Sequence, residues 1–172
     1  YDGQYAYIGS NNGLIYIYDI ETEKITNTLK CSNTVHNIRC KENTLIATDE
    51  DGFVSIWNLN DNKSIWKFKP IDEITTVSNK NGYITLMDER DNWLVVGGGP
   101  IPSLWNVNMR KLVNVYNQTN YKNITCLKMA NSRILVGSEK TSLDHWNFSG
   151  QDFQTCELQT DNISSLVNIA DV

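Results

Sequence analysis

The chain has 172 residues but only three prolines and two histidines. No stretch approaches the roughly 20 consecutive apolar residues that a membrane helix needs, and no basic-then-apolar leader opens the sequence. Neither a membrane partner nor a targeting segment is expected. Basic charge is also scarce: 15 Lys and Arg face 20 Asp and Glu, for a net charge of −5. An acidic chain makes a poor stand-alone phosphate binder, so direct nucleic-acid contact is not expected. Cys-x-x-Cys is missing, and His36 and His145 stand at no metal-ligand spacing to Cys31, Cys40, Cys126 or Cys156. No metal or cofactor is expected. There is no G-x-S-x-G elbow and no carboxylate pair of telling spacing, so nothing marks an enzyme or a small-molecule substrate. Four cysteines are too few for a disulfide-dense secreted scaffold, and reduced intracellular thiols are expected. Five glycosylation sequons, at Asn62, Asn117, Asn123, Asn147 and Asn162, follow from an Asn-rich composition rather than from secretion.

What the sequence does contain is a repeat. Four segments align: LIYIYDI (14–20), FVSIWNL (53–59), PSLWNV (102–107) and LDHWNF (143–148). Each carries an aromatic residue followed by Asp or Asn: Tyr18-Asp19, Trp57-Asn58, Trp105-Asn106 and Trp146-Asn147, spaced by 39, 48 and 41 residues. That is the period of WD40 propeller blades, at about 40–45 residues and four strands each. An apolar strand precedes each aromatic (YAYIG, TLIAT, WLVVG, RILVG), and a short outer strand follows it (KITNTLK, SIWKFK, KLVNVY, DFQTCEL). Further strands are expected at 34–40, 83–87 and 123–129. The third strands of the first two units are apolar on both faces, with Ile15 and Ile17 opposite Tyr16 and Tyr18, and Val54 and Ile56 opposite Trp57, so such a blade needs a neighbour to cover it. The predicted fold is all-β: a WD40-type β-propeller, here an incomplete arc of about four blades of antiparallel four-stranded sheets. The expected division is 1–30 as a partial blade, 31–69 as a blade, 70–117 as a blade with an inserted loop, 118–158 as a blade, and 159–172 as the first strand of a further blade. A start at Tyr1 and ends cut within blades predict a piece of a longer chain, one prone to aggregate alone. The consensus Gly-His is absent and Asn replaces Asp in three of the four pairs, which predicts loss of the buried Asp–His–Ser/Thr–Trp network.

The third unit carries a more specific signal. Asp91-Asn92-Trp93-Leu94-Val95-Val96-Gly97-Gly98-Gly99-Pro100, followed by Leu104-Trp105, resembles the equivalent blade of the THO complex subunit 6 family. Asp19-Ile20-Glu21-Thr22, Glu50-Asp51-Gly52-Phe53-Val54, Asn81-Gly82-Tyr83 and Trp146-Asn147-Phe148-Ser149-Gly150 also resemble that family, in order. The resemblance spans essentially the whole chain and the C-terminal half of the family. It implies a nuclear, non-catalytic propeller subunit of THO, the core of the assembly (THO/TREX) that couples transcription to mRNA processing and nuclear mRNA export. Its implied partners are other THO subunits. A rival class, a WD40 substrate receptor or adaptor of a ubiquitin ligase, would require an adaptor-binding segment outside the repeats. A secreted propeller hydrolase or lectin is disfavoured by the missing catalytic set.

Several local features remain. Gly97-Gly98-Gly99-Pro100 lacks the residues and the helix of a phosphate cradle, and reads as a hairpin turn. With Ile101 and Pro102 it forms a candidate ledge for a partner segment, made of Gly98, Gly99, Pro100, Ile101 and Pro102. The loop Pro70–Lys80, including Ile74, accounts for the long spacing and is a second candidate contact, since insertions between blades lie on one face. Trp66 and Phe68 share a strand face and are expected to pack on the inner strands. His145 falls where other units carry Ile or Leu, so it is expected to be hydrogen-bonded or partly exposed. Asp88-Glu89-Arg90-Asp91 reads as a solvated connecting turn.

Overall fold

The structure is a computed structural model that describes residues 3–74, 86–97, 101–116, 124–138, 142–151, 153–158 and 163. Fifteen strands, β1 to β15, and one helical turn are present among them. The first sheet is three-stranded: β1 (Tyr5–Gly9), β2 (Leu14–Asp19) and β3 (Lys24–Lys30), in that spatial order. The second orders β4 (Val35–Lys41), β5 (Thr44–Asp49), β6 (Val54–Asn58) and β7 (Lys63–Phe68). The third orders β8 (Leu86–Arg90), β9 (Trp93–Gly97), β10 (Ser103–Asn106) and β11 (Lys111–Val115). The fourth orders β12 (Ile124–Ala130), β13 (Arg133–Ser138), β14 (Ser142–Asn147) and β15 (Phe153–Glu157). Every pairing is antiparallel between sequence neighbours.

Burial along each sheet follows the side-chain pattern. β2 alternates half-buried and buried residues, as a strand with one better-covered face must. In β6 the four residues from Val54 to Trp57 are all buried, so both faces are covered. The last strands β3 and β15 are mostly exposed, and β7 and β11 mix exposed with half-buried residues. Lysines Lys24, Lys30, Lys63, Lys67 and Lys111 lie on them, where charge discourages edge-to-edge pairing.

The chain divides into two units, one built on residues 1–75 and the other on 86–172. In the first, Trp57 of the second sheet packs with Ile15, Ile17 and Leu29 of the first, together with Leu45 and Ala47. Gly9 ends β1 where a Cβ would stand 2.7 Å from Val35 Cγ1, so only glycine lets the two sheets approach this closely. In the second unit, Trp146 packs with Val95, Leu104, Tyr116 and Ile134. Its ring lies 5.4 Å from that of Tyr116 and 5.1 Å from that of Phe153. In both units, the repeat aromatic of one sheet is covered by the sheet before it, as the two-faced apolar strands require.

Two expectations are corrected. Asp88-Glu89-Arg90 is not a turn: all three residues lie in β8, and Asp88 is 4% exposed. The turn is Asp91-Asn92, with Asp91 at φ 56°. The charge run misled because one of its acids is a buried hydrogen-bond acceptor rather than a solvated group. The start of the expected loop Pro70–Lys80 is a helical turn, α1 (Pro70–Glu73), with Pro at its start, where a missing N–H costs nothing. Pro70, Ile71 and Ile74 are buried. Residues 75–85 of the loop and of the strand expected at 83–87 lie outside the described residues, as does all of 159–172 except Ile163.

Candidate functional site

The repeat-defining pairs work as turn devices. Trp57, Trp105 and Trp146 are buried in their sheets while Tyr18 is half-buried, and in each unit the Asp or Asn after the aromatic closes the following hairpin through its side-chain oxygen. Asp19 Oδ1 accepts the N–H groups of Glu21 and Thr22, both at 2.9 Å. The Thr22 N–H, foremost, holds the Asp19 carboxyl below its ordinary value. Asn58 Oδ1 accepts Asn60 N–H at 2.9 Å, and Asn106 Oδ1 accepts Met109 N–H at 2.9 Å. Asn147 Oδ1 accepts Gln151 N–H at 3.2 Å and Ser149 O–H at 2.9 Å. The turns need an acceptor and not a charge, which is why Asn replaces Asp without loss. Each hairpin also has one residue of positive φ: Glu23, Asn62, Arg110 and Gly150. A register shift next to Tyr18, Trp57 and Trp105 adds a bulge in three of them.

Without Gly-His, the buried polar network was expected to be lost. It survives in pieces. Trp105 Nε1 donates to Ser103 Oγ at 2.9 Å in a buried position. Asp49, fully buried, accepts Phe53 N–H at 2.9 Å and Ser32 N–H at 3.0 Å. Neighbouring Cys31 is 3% exposed, and burial, with the Asp49 charge, pushes its thiol up to about 12. Burial also raises the Cys126 thiol and the Tyr116 phenol, whose O–H donates to Phe148 O at 2.9 Å. No disulfide joins the four cysteines. Cys31 and Cys126 are buried, Cys40 is half-buried and Cys156 is exposed on β15.

The candidate contact residues separate. Gly98, Gly99 and Pro100 lie outside the described residues. Ile101 is half-buried and Pro102 buried. The Pro102 carbonyl accepts Tyr116 N–H at 2.9 Å, tying the start of β10 to the end of β11. Ile74 is 3% exposed, and the turn α1 directs it inward. Trp66 and Phe68 stack at 3.8 Å between centroids, with Phe68 buried. His145 is half-buried, its Nδ1 3.1 Å from Arg133 Nη1. Asp144 beside it is buried and accepts Thr155 O–H at 2.8 Å, so the two form no catalytic pair. His36 is exposed, at a register shift in β4.

The residue that sequence reasoning missed is Asp88. Its Oδ2 accepts Met129 N–H at 2.8 Å and its Oδ1 meets Lys128 Nζ at 3.0 Å, pinning β12 to β8 of the preceding sheet. Counting back from Trp93 would have found it: a two-residue turn before the second strand, as at Glu42-Asn43, puts Asp88 inside a strand. Among the described residues no group of three or more His, Cys, Asp or Glu could hold a metal ion, and no helix is long and apolar enough to cross a membrane.

Among solved structures, the chain superposes on the computationally designed Ika8 protein with a TM-score of 0.81 at 12% identity, covering 98% of this chain and 51% of that one. It superposes on a chain of the mitotic checkpoint complex with a TM-score of 0.79 at 15% identity, covering 95% and 50%. The fold is that of a WD40-type β-propeller. No family model matches the sequence. A WD repeat-containing protein 55 homolog of Drosophila simulans is 25% identical over 166 residues, which is 91% of this chain and 31% of that protein. The THO complex subunit 6 homolog of Rattus norvegicus is 24% identical over 142 residues, 80% of this chain and 41% of that protein. The chain thus spans about a third of the length of the first relative and two-fifths of the second. Both are WD-repeat-type sequences, and the similarity supports a WD40-repeat scaffold.

Proposed function

We propose that this chain is part of a non-catalytic WD40 scaffold that acts as a THO/TREX subunit in nuclear mRNA processing and export, through contacts with other THO subunits. The observation that carries this reading is the run Asp91–Pro100 with Leu104-Trp105, together with the match to the rat THO complex subunit 6 homolog over 80% of the chain. The buried repeat residues fit a rigid platform: Trp105 and Trp146 are each 1% exposed or less. Loops on such a platform are the natural place for partner contact. The proposed contact is the segment Gly98–Pro102, entered through Ile101. Ile74 is assigned to packing.

Affinity purification of the tagged protein from nuclear extract tests the assignment. Co-recovery of THO subunits is the expected result. Recovery of a different assembly, with no THO subunit, overturns the THO assignment and leaves the scaffold fold standing. The match to WD repeat-containing protein 55 homologs over 91% of the chain favours a second reading, a WD-repeat scaffold outside THO, and that outcome would select it.

A further inference from the structure

A cavity of about 300 Å³ opens in the first unit between the first two sheets, at the end where the β4–β5 and β6–β7 turns lie. That volume is at the small end of the range for ligand pockets. Tyr5 and Tyr7, two apart on β1 and therefore on one face, supply aromatic walls. Glu42 and Asn43 of one turn and Asn60 and Asn62 of the other supply the polar rim. Glu42, Asn43 and Asn60 are exposed. The Glu42 carboxylate has no ion-pair or hydrogen-bond partner among the described residues. Asn62 Oδ1 is buried and accepts no hydrogen bond. No Lys, Arg or His lines the cavity.

This chemistry selects against anions, since nothing basic is there to receive them. Tyrosine faces, one carboxylate and several amide oxygens instead suit a cation that is flat and carries many donors. A guanidinium stacks on aromatic faces and offers forked N–H groups to carboxylate and amide oxygens; an ammonium is a compact point charge and matches fewer of them. We propose that this cavity receives an arginine side chain of a partner polypeptide. The proposal rests on reading the chain as a protein-binding scaffold and adds a site separate from Gly98–Pro102.

The test is titration of the ¹⁵N-labelled full chain with N-acetyl-arginine-methylamide, followed by amide shifts. Saturable shifts are expected at Glu42, Asn43, Asn60 and Asn62, with the lysine analogue weaker and the neutral, isosteric citrulline analogue weakest. Glu42→Gln, at an exposed turn, should weaken arginine binding by about threefold or more, within the range of an exposed ion pair. Asn60→Asp should tighten it by about twofold or more on the same basis. Absence of saturable shifts in a well-dispersed spectrum overturns the proposal. So does citrulline binding as tightly as arginine, or an unchanged constant in both variants. A blank titration leaves the THO assignment to be decided by purification, and failure to recover THO subunits leaves this site to be decided by titration.

Discussion

Replacing Asp88 by alanine should loosen the junction between β8 and β12. Two of its contacts give the scale. Met129, whose N–H is accepted at 2.8 Å, is only 2% exposed, so water cannot stand in for the lost oxygen. A buried donor left without its acceptor costs about 1–3 kcal/mol. The Lys128 side chain is 25% exposed, so its ammonium rehydrates and the ion-pair part is held to about 1 kcal/mol or less. Together these give roughly 2–4 kcal/mol for Asp88→Ala. Asp88→Asn keeps an oxygen for Met129 N–H and loses only the ion pair, for about 1 kcal/mol. Lys128→Met should cost no more than that. Urea unfolding gives the stabilities, and hydrogen exchange at the Met129 amide gives the local effect. Protection of that amide should fall sharply in Asp88→Ala and stay close to wild type in Asp88→Asn. Equal losses for the Ala and Asn variants, or an Asp88→Ala change below about 0.5 kcal/mol, the range of an ordinary surface substitution, would refute the reasoning.

Three further outcomes follow from the same geometry. Gly137→Ala would place a Cβ against Cys126 Sγ and 2.8 Å from Ile163 Cγ2, so it should destabilise by about 1–3 kcal/mol in thermal or urea unfolding. Adding Cys126→Ala should recover part of that loss, because it removes one of the two clashing partners. Asn106→Asp should be near neutral, since an acceptor for Met109 N–H remains, whereas Asn106→Ala should cost about 1 kcal/mol. Equal losses in the two variants would show that acceptance of Met109 N–H is not what position 106 contributes. Cys31 titrates at about 12 folded against an ordinary 9.0, so the folded state holds its proton longer than the unfolded state. Its contribution is complete below about pH 9 and is lost between pH 9 and 12, at up to about 1.4 kcal/mol per pH unit. Urea midpoints measured at pH 8, 9.5 and 10.5 should therefore fall less steeply for Cys31→Ala than for wild type.

The repeat was readable because a propeller states its period in the sequence. An aromatic residue that needs cover on both faces recurs with a turn-forming Asp or Asn after it, and each occurrence marks the same strand end. Trp57, Trp105 and Trp146 are all buried, and Asn58, Asn106 and Asn147 each close a hairpin. The failures share one cause, which is that composition was used where register was needed. Asp88 was hidden because a run of four charged residues looks solvated when counted and looks half-buried only when the strand alternation is extended from Trp93. Ile74 lies in an insertion, yet it follows the helical turn in extended conformation and is buried with Ile71. The cavity between the first two sheets was out of reach for a deeper reason. Tyr5, Glu42 and Asn60 belong to three different elements, and nothing in their spacing says that they meet. Their meeting is fixed by how the two sheets approach, and even the close approach at the other end of β1, at Gly9, shows in the sequence only as the end of a strand. In a fold built of repeats, the residues that define each blade are therefore legible from the chain, whereas sites between blades are decided by packing. Besides the Gly98–Pro102 loop, a second interaction surface of this protein is best sought at the junctions between sheets, where two turns from one blade and a strand from its neighbour converge.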